Sequence, residues 1–339
     1  MAAAAVLVAL LISVFARQIG EALLLLDFPD TDGGRKRHDR VTPLVGGLAV
    51  SLAIVGSAVL TALVVPEAAP LLHLGWLAAS VAVMFGIGIA DDRFHLSPVL
   101  RLCAAVTMLL LVASDAPDFS VAFLRFSGMG QLLLIGRWGD AFTLLCLVGL
   151  LNAVNMADGK NGLVAGMGII WSVVLAFHAP AVLLPVLAAA GSALAVVWVF
   201  NMAGKLFLGD GGSYAISTFF GLAAIYAYNH DFDAMRADDV AVLFAIPVFD
   251  TVRLMAVRVA QRRSPFQGDR NHLHHHLYAS IGWPRGLWVY LTLVALPNAA
   301  ALIWRGTGLV WLVVSLISYC GVMWATRYGD DAIAASPAE

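Results

Sequence analysis

Charged residues are scarce in this sequence, and their scarcity excludes an ordinary water-soluble domain. Only 12% of the 339 residues are charged and 61% are hydrophobic, whereas soluble domains are about a quarter charged. The net charge of −2 indicates no particular partner, and nucleic acid is not expected among the partners. The composition predicts a protein that crosses a membrane many times.

Cysteine is also rare. Cys103, Cys146 and Cys320 all lie inside apolar runs, so we interpret them as small hydrophobic residues. No disulfide framework and no metal-ligand spacing is indicated.

Long hydrophobic runs are abundant. About 20 apolar residues cross a bilayer as a helix. Eleven segments are candidates: 3–25, 44–65, 71–90, 98–114, 140–155, 162–178, 180–200, 212–228, 238–258, 286–304 and 307–326. We therefore predict an all-α polytopic membrane protein with a single domain over residues 1–339. The runs "SVAFLRF" and "QLLLIG" on either side of "SGMG" predict a small β-hairpin at the outer surface.

Lysine and arginine give the orientation, because they collect in cytoplasmic loops. With the N-terminus outside and the C-terminus in the cytoplasm, 15 of the 20 basic residues lie on the inner side, four lie outside and one lies in the first span. The unusual Asp, Asn and His clusters fall on the inner side as well. The predicted cytoplasmic site loops are 27–43, 91–97, 155–161, 201–211 and 259–285.

Two carboxylate motifs stand at predicted helix ends. Asp91 and Asp92 end the third span, where negative charge opposes the helix dipole. A metal or a charged ligand explains this pair better than a solvated helix end does. Asp210, in "FLGDGGS", begins the eighth span beside glycines that let backbone N–H groups approach an anion. The motif could hold Mg²⁺ against a phosphate, although for this motif taken alone a plain N-cap is the better explanation of Asp210.

An amide-rich loop follows the fifth span. In "NAVNMADGKNG", Asn152 and Asn155 share a helical face and Asp158 follows them. These oxygen ligands suit a hard cation, and the amides suit the edge of a nucleobase. A helix cap followed by glycine breakers is an alternative that this segment leaves open.

The loop "SPFQGDRNHLHHHL" holds the densest polar chemistry of the chain. It contains Asp269, Arg270, His272, His274 and His275. Arginine and histidine together suit a phosphate better than a tetrahedral metal site. A surface histidine tract is the simpler alternative.

Taken in order from about residue 27 to 277, these motifs resemble the polyprenyl-phosphate N-acetylhexosamine-1-phosphate transferases, the MraY/WecA superfamily. The pieces are "DFPD…RKRHDRVTPLVGG", "GIADD", "NAVNMADGKNGL", "FLGDGGS", "PVFDT" and "SPFQGDRNHLHHHL". The glycine pair in "PLVGG" and the histidine loop are more similar to the WecA branch. Bacterial members usually carry Asp at the position of Asn161, so the uracil and sugar contacts there are an open point.

The resemblance implies transfer of a HexNAc-1-phosphate, by default GlcNAc-1-phosphate, from a UDP-sugar to undecaprenyl phosphate. The implied setting is the bacterial inner membrane, among membrane lipids, at the first membrane step of a cell-surface glycan such as O-antigen. The donor sugar and the downstream glycan are not fixed by the sequence, and a homodimer is also considered. An intramembrane aspartyl protease and a transporter are the rival classes.

The resemblance also implies residue roles. Asp210 and Asn155 would hold Mg²⁺, with Mn²⁺ as a substitute. Asp91 and Asp92 would lie near the lipid phosphate, and Asp91, Asp92 and Asp210 would be the catalytic carboxylates. The side chains implied to face the nucleotide are Asp158, Asn161 and Asn201. Those implied to contact the pyrophosphate or the sugar are Arg270, His272, His274 and His275.

Overall fold

The computed structural model describes residues 1–29, 40–64, 68–264 and 271–327. Helices dominate this part of the chain. Fourteen α-helices are present in it: α1 Ala2–Val14, α2 Ala16–Leu23, α3 Gly46–Val64, α4 Ala68–Phe94, α5 Pro98–Asp115, α6 Gly139–Ala157, α7 Leu163–Ala176, α8 Leu184–Met202, α9 Gly209–His230, α10 Ala237–Leu243, α11 Ala245–Ala260, α12 Leu273–Ile281, α13 Arg285–Ile303 and α14 Gly308–Ala325.

Each of the eleven predicted spans corresponds to a helix or to a pair of consecutive helices. Among the described residues, eight helical segments are long and apolar enough to cross a membrane, or nine if the first bent pair counts as one span. The prediction of a polytopic helical protein is confirmed, whereas the number eleven is not. The helix α7 has only 14 residues, about 21 Å at 1.5 Å per residue.

The helix α9 has length enough but is less apolar than a typical span, and its position explains why. Every residue from Gly211 to Tyr228 except Tyr226 is buried by other parts of the protein. A helix surrounded by protein does not face lipid, so small and polar residues such as Ser213 and Thr218 are tolerated there.

The first predicted span is broken. Helices α1 and α2 meet at an angle of 73° around Phe15. The first is apolar except for Ser13, whereas the second carries Arg17 and Glu21, which form an exposed ion pair. The change in composition at Ala16 explains the change in direction, since an amphipathic helix is more stable along a surface than across the bilayer.

Two short antiparallel strand pairs complete the fold. The strands β3 (Phe123–Leu124) and β4 (Leu133–Leu134) form the predicted hairpin. The strands β1 (Leu26–Asp27) and β2 (Thr42–Pro43) pair as well, and no sequence pattern indicated them. Residues 30–39, which include the basic run "RKRH", lie outside the described residues.

Glycine contacts bring α9 against its neighbours. A Cβ atom added at Gly88 of α4 would lie 2.4 Å from the Cα of Gly211, and one added at Gly47 of α3 would lie 2.4 Å from the Cα of Gly212. Backbones that approach this closely have no room for a side chain, which is how small residues permit tight helix packing in membranes. The glycines of "FLGDGGS" therefore serve helix packing.

We predict that Gly88→Ala destabilises the protein, because the added methyl group must push α4 and α9 apart. Overpacking of this kind costs about 1–3 kcal/mol, so the midpoint of thermal unfolding in detergent should fall. Gly86→Ala is the matched control, since a Cβ atom on this glycine of the same helix meets nothing within 4 Å. Equal midpoints for the two variants would contradict the packing role of Gly88.

Candidate active site

The candidate site lies at one end of the helix bundle. It combines the C-terminal ends of α4 and α6 with the N-terminal ends of α9 and α12. The β3–β4 hairpin lies at the opposite end, where the hydroxyl of Tyr228 accepts a hydrogen bond from the backbone N–H of Arg125 and donates one to the carbonyl of Phe123. The predicted separation of hairpin and site motifs is therefore present in the fold.

Asp92 caps α9 from a different helix. Its Oδ1 accepts the backbone N–H of Asp210 at 2.9 Å and its Oδ2 accepts that of Gly211 at 3.1 Å. The anion that the glycine-rich turn was predicted to approach is thus, in this structure, the carboxylate of Asp92. The first N–H groups of a helix lack partners within the helix. By accepting two of them, Asp92 stabilises α9 and fixes the position of Asp210 in its first turn.

Asp91 is buried and paired. Its Oδ2 accepts hydrogen bonds from Nη1 of Arg101 at 2.7 Å and from the hydroxyl of Tyr214 at 3.1 Å. The Arg101 guanidinium also lies 3.3 Å from that hydroxyl. A buried carboxylate needs such partners, because an unpaired charge away from water is costly. Adjacent in sequence, Asp91 and Asp92 therefore have different environments.

Asp210 lies beside the amide predicted to share a cation with it. The Nδ2 of Asn155 donates to Oδ1 of Asp210 at 2.6 Å and to the hydroxyl of Ser213 at 3.1 Å. The fold has thus brought together two motifs that are 55 residues apart. Asn152, one turn earlier, donates instead to the carbonyl of Val148 in its own helix.

Asp158 follows the last residue of α6 and adds a further carboxyl group to this end of the bundle. Burial, together with the negative charges of Asp210 and Asp92, raises the pKa of Asp158 to about 8. Carboxylates in this proximity repel one another unless a proton or a cation lies between them. The electrostatics at Asp158 therefore favour a bound cation.

Asn201 and Asn161 belong to the loops around this carboxyl group. Asn201 accepts the backbone N–H of Gly162 at 2.5 Å and donates to the carbonyl of Leu206 at 2.9 Å. Both ends of its amide thus connect the loop after α6 to the loop after α8. The backbone carbonyl of Asn161 accepts from the indole of Trp283 at 3.0 Å. Whether either side chain faces a nucleotide stays a prediction.

The histidines meet the same loop through α12. Burial lowers the pKa of His274 well below its usual range, so this ring is neutral. Its Nε2 is enclosed and makes no hydrogen bond within the described part of the chain. A Cβ atom at Gly159 would lie 2.5 Å from that nitrogen. The glycine after Asp158 therefore permits the close approach of His274 and joins the two halves of the site.

The neighbouring rings pack against His274. The rings of His272 and His274 are stacked with centroids 5.4 Å apart, and His275 lies 4.3 Å from His274. Lys160, from the loop after α6, places its ammonium group 3.7 Å from the ring centre of Tyr278 in α12, a favourable cation–π distance. Asp269 and Arg270 lie outside the described residues, so the contacts predicted for Arg270 are not addressed by the structure.

Several site residues were given no role by the sequence reasoning, although Asp250 stands in the quoted motif "PVFDT". Arg101 and Tyr214 are partners of Asp91, Asp250 is the partner of His272, and Tyr319 donates to Asp250. A carboxylate within an apolar span needs a polar partner, so the sequence around Asp250 indicated a buried polar contact. Tyr319 carried none, because nothing in the sequence of α14 indicates which helix it faces.

The donor set fits Mg²⁺ or Mn²⁺ better than a metal that prefers nitrogen or sulfur ligands, such as Zn²⁺. Among the described residues, no three His, Cys, Asp or Glu side chains are arranged to hold a metal ion by themselves. Magnesium is commonly bound by one or two carboxylates, with waters and substrate phosphates as its other ligands. Asp210 and Asn155 supply oxygen-bearing side chains of this kind.

Comparison with known proteins identifies the family. The model of glycosyl transferase family 4 matches residues 73–228. The decaprenyl-phosphate N-acetylglucosaminephosphotransferase of Mycolicibacterium smegmatis is 30% identical over 273 residues, which cover 72% of this chain and 66% of that protein. The protein of the same name from Mycobacterium leprae is 29% identical over 278 residues, which cover 72% of this chain and 68% of that protein. The undecaprenyl-phosphate alpha-N-acetylglucosaminyl 1-phosphate transferase of Yersinia pestis is 28% identical over 306 residues. These residues cover 83% of this chain and 76% of that protein.

This chain belongs to glycosyl transferase family 4. The predicted membership among the polyprenyl-phosphate N-acetylhexosamine-1-phosphate transferases is thereby confirmed. The stretch matched by the family 4 model contains the whole carboxylate cluster, from Asp91 to Asp210, but ends before α12 and its histidines. This family 4 protein spans about two thirds of the length of its mycobacterial relatives.

We predict a pH-dependent stability that a divalent cation reverses. Between the ordinary Asp pKa of 3.8 and about 8, the folded chain keeps the Asp158 proton and the unfolded chain does not. Stability in EDTA should therefore fall as the pH rises across this range. Added Mg²⁺ should raise the thermal midpoint more at about pH 8 than at about pH 6, because protons compete with the cation for the carboxylates.

Asp158→Asn tests the assignment. This variant keeps the shape of the side chain but has no proton to lose, so its midpoint in EDTA should depend less on pH. Thermal unfolding of the two purified proteins across the same buffers measures the difference. Parallel pH profiles in EDTA would show that Asp158 does not titrate as described.

Proposed function

We propose that this protein transfers an N-acetylhexosamine 1-phosphate, in the first instance GlcNAc-1-phosphate, from a UDP-sugar to undecaprenyl phosphate. The products are UMP and undecaprenyl-pyrophosphate-sugar. The observation that carries the proposal is the meeting of the carboxylate cluster with the histidines of α12, at the contact between Gly159 and His274. One end of the helix bundle thus brings together carboxylates and histidines, side chains suited to a cation and to phosphates.

The reaction is a displacement at phosphorus. An oxygen of the lipid phosphate attacks the phosphorus that carries the sugar. The bond from that phosphorus to the bridging oxygen breaks, and UMP leaves with the electron pair. A phosphate monoester has its second pKa near 6, so the acceptor is already a dianion at neutral pH and needs no general base.

The contacts of the two α4 carboxylates favour this direct route. Asp91 is bound to Arg101 and Tyr214, and Asp92 is bound to two backbone N–H groups. Side chains engaged in this way are suited to fixing the geometry of a site, whereas a covalent aspartyl-phosphate route requires a free nucleophile. We assign Asp91 and Asp92 to positioning Asp210 and the acceptor.

Charge neutralisation is the other requirement, because donor and acceptor bring several negative charges together. Mg²⁺ held by Asp210 and Asn155 would supply a Lewis acid for the phosphate oxygens. The protein itself contributes His272 and His275 near the loop of Asp158, and Arg270 in the adjoining segment of the sequence. Hydrogen-bond donors that strengthen as charge develops on the departing UMP are those that raise the rate.

We also propose that the site faces the cytoplasm, with the protein in the bacterial inner membrane and the hairpin end outside. The excess of Lys and Arg in the loops of the site end supports this orientation. The same face gives access to a water-soluble nucleotide sugar.

Transfer of label is the direct test of the activity. Purified protein with tritium-labelled UDP-GlcNAc and undecaprenyl phosphate should yield a labelled lipid that partitions into butanol. EDTA should abolish the product and Mg²⁺ should restore it. Asp210→Asn should be inactive although inserted and folded, because one of its two carboxylate oxygens becomes an amide nitrogen that cannot bind a cation. A protease or a transporter would give no labelled lipid, and undiminished transfer in EDTA would exclude the cation.

Labelling of single cysteines tests the orientation. In a variant whose three native cysteines are replaced by serine, Gln261→Cys at the site end should react with a membrane-impermeant maleimide only after the cells are opened. Met129→Cys in the hairpin should react in intact spheroplasts. Both positions are exposed. The reverse pattern would place the site on the outside.

A further inference from the structure

Asp250 lies buried beneath the first turn of α12 and is the most heavily bonded carboxylate of the site. Its Oδ2 accepts from Nδ1 of His272 at 2.9 Å, and its Oδ1 accepts from the hydroxyl of Tyr319 at 2.8 Å. The guanidinium of Arg253 donates to Oδ1 at 3.1 Å, and the backbone N–H of Leu273 lies within 3.2 Å of both oxygens. This network connects three helices, α11, α12 and α14.

The partners of Asp250 make further hydrogen bonds of their own. Nε of Arg253 donates to the hydroxyl of Tyr319 at 2.7 Å, and the same guanidinium donates to the backbone carbonyl of Asn271. A buried carboxylate with this number of donors is stable as an anion, whereas removal of one donor leaves a buried group unsatisfied. The position of Asp250 is therefore fixed from several directions.

The network determines which nitrogen of His272 is free. Because the carboxylate accepts at Nδ1, that nitrogen carries a hydrogen, and Nε2 is the one left for a ligand. When the ring is protonated, both nitrogens are donors, so Nε2–H can donate to an anion while Asp250 balances the positive charge. Nε2 makes no hydrogen bond to the described residues. His272 also precedes the first residue of α12 and stacks on His274, whose ring meets Gly159. The orientation of one ring thus affects the rings beside it.

We propose that Asp250 is a positioning residue that fixes the ring plane of His272 and accepts its Nδ1–H, so that the protonated ring presents Nε2–H to the ligand, and that Tyr319 in turn fixes Asp250. The assignment rests on the proposed transferase function and extends the site to α14, a helix beyond the stretch that the family model matches. The ligand of His272 is an anionic phosphate group of the nucleotide-sugar donor, so the effect belongs to the donor half of the reaction.

Asp250→Asn is the informative variant, because the amide must reverse one hydrogen bond. Tyr319, Arg253 and the Leu273 N–H are donors and will draw the amide oxygen to the Oδ1 position. The NH₂ group then faces Nδ1 of His272, which must accept as a bare nitrogen. The ring keeps a hydrogen on Nε2 but can no longer carry the positive charge that balances the phosphate. A loss of about 100-fold in kcat is expected, as for other groups that orient a functional histidine, with little change in the KM for the lipid acceptor.

A double-mutant cycle separates positioning from a merely structural role. If Asp250 acts through His272, then Asp250→Asn in the His272→Ala background should cost less than about 3-fold, since coupled residues are not additive. A full second loss of about 100-fold would show that Asp250 acts independently of the histidine, for example only as a cap of α12, and would overturn the proposal.

Tyr319→Phe is an independent measurement, and Tyr228→Phe is its matched control. Each substitution removes one buried hydroxyl that makes two hydrogen bonds, the first at the site and the second at the hairpin end. Their thermal midpoints should fall by similar amounts. Only Tyr319→Phe should lower kcat, by about 10-fold for one lost hydrogen bond to a charged group. Equal kcat values for the two variants would overturn the role of Tyr319.

The wild-type protein, assayed in parallel, keeps the two hypotheses apart. Absence of labelled lipid from the wild type would remove the proposed function itself. Normal wild-type transfer with an unimpaired Asp250→Asn variant would leave that function intact and remove only the positioning role of Asp250.

Discussion

The contact between α4 and α9 is the constraint on which the site depends. Gly88 and Gly211 allow the two backbones to approach without side chains between them, and Asp92 then accepts the first N–H groups of α9. This single arrangement sets the position of Asp210. Without it, the carboxylate predicted to bind a cation would have no fixed place relative to Asn155. Packing and chemistry are joined in one interaction here, because the group that caps the helix also adds to the negative charge of the site.

The other buried charges are also held by hydrogen bonds between segments of the chain. A protein with so few charged residues places Asp91 against Arg101 and Tyr214, and Asp250 against Arg253 and Tyr319. In each group a carboxylate receives a guanidinium and a phenol from different parts of the chain. Such groups are stable only when every member is satisfied, so they fix the relative positions of the helices that carry them. Rigid placement of phosphate-binding groups is what a displacement at phosphorus requires, since catalysis of this kind is mainly positioning and charge stabilisation.

Much of the fold was predictable from the sequence. The features that were not predictable depend on which segments pack against one another. Runs of apolar residues located the helices, and the turn "SGMG" located the hairpin. The count of spans was less predictable, because α9 is shielded by protein and α7 is short. The amide of Asn201, whose nucleotide contact stays a prediction, connects two backbone loops, and no sequence pattern indicated this connection. Hydrogen-bonding capacity can be read from a residue type, but the choice between a ligand and the backbone depends on which segments lie nearby.

The sequence by itself determined that the chain is a membrane-spanning helical protein and that its Asp, Asn and His motifs belong to one side. Hydrophobic length and charge distribution are local properties, and they suffice for both conclusions. Only the tertiary structure decided that Asp92 caps α9, that His274 meets Gly159 and that Tyr319 reaches Asp250. The hydrogen bonds among these contacts join residues that are between 69 and 119 positions apart in the chain. They arise from the direction in which each helix packs, which the spacing of residues along a single helix does not specify.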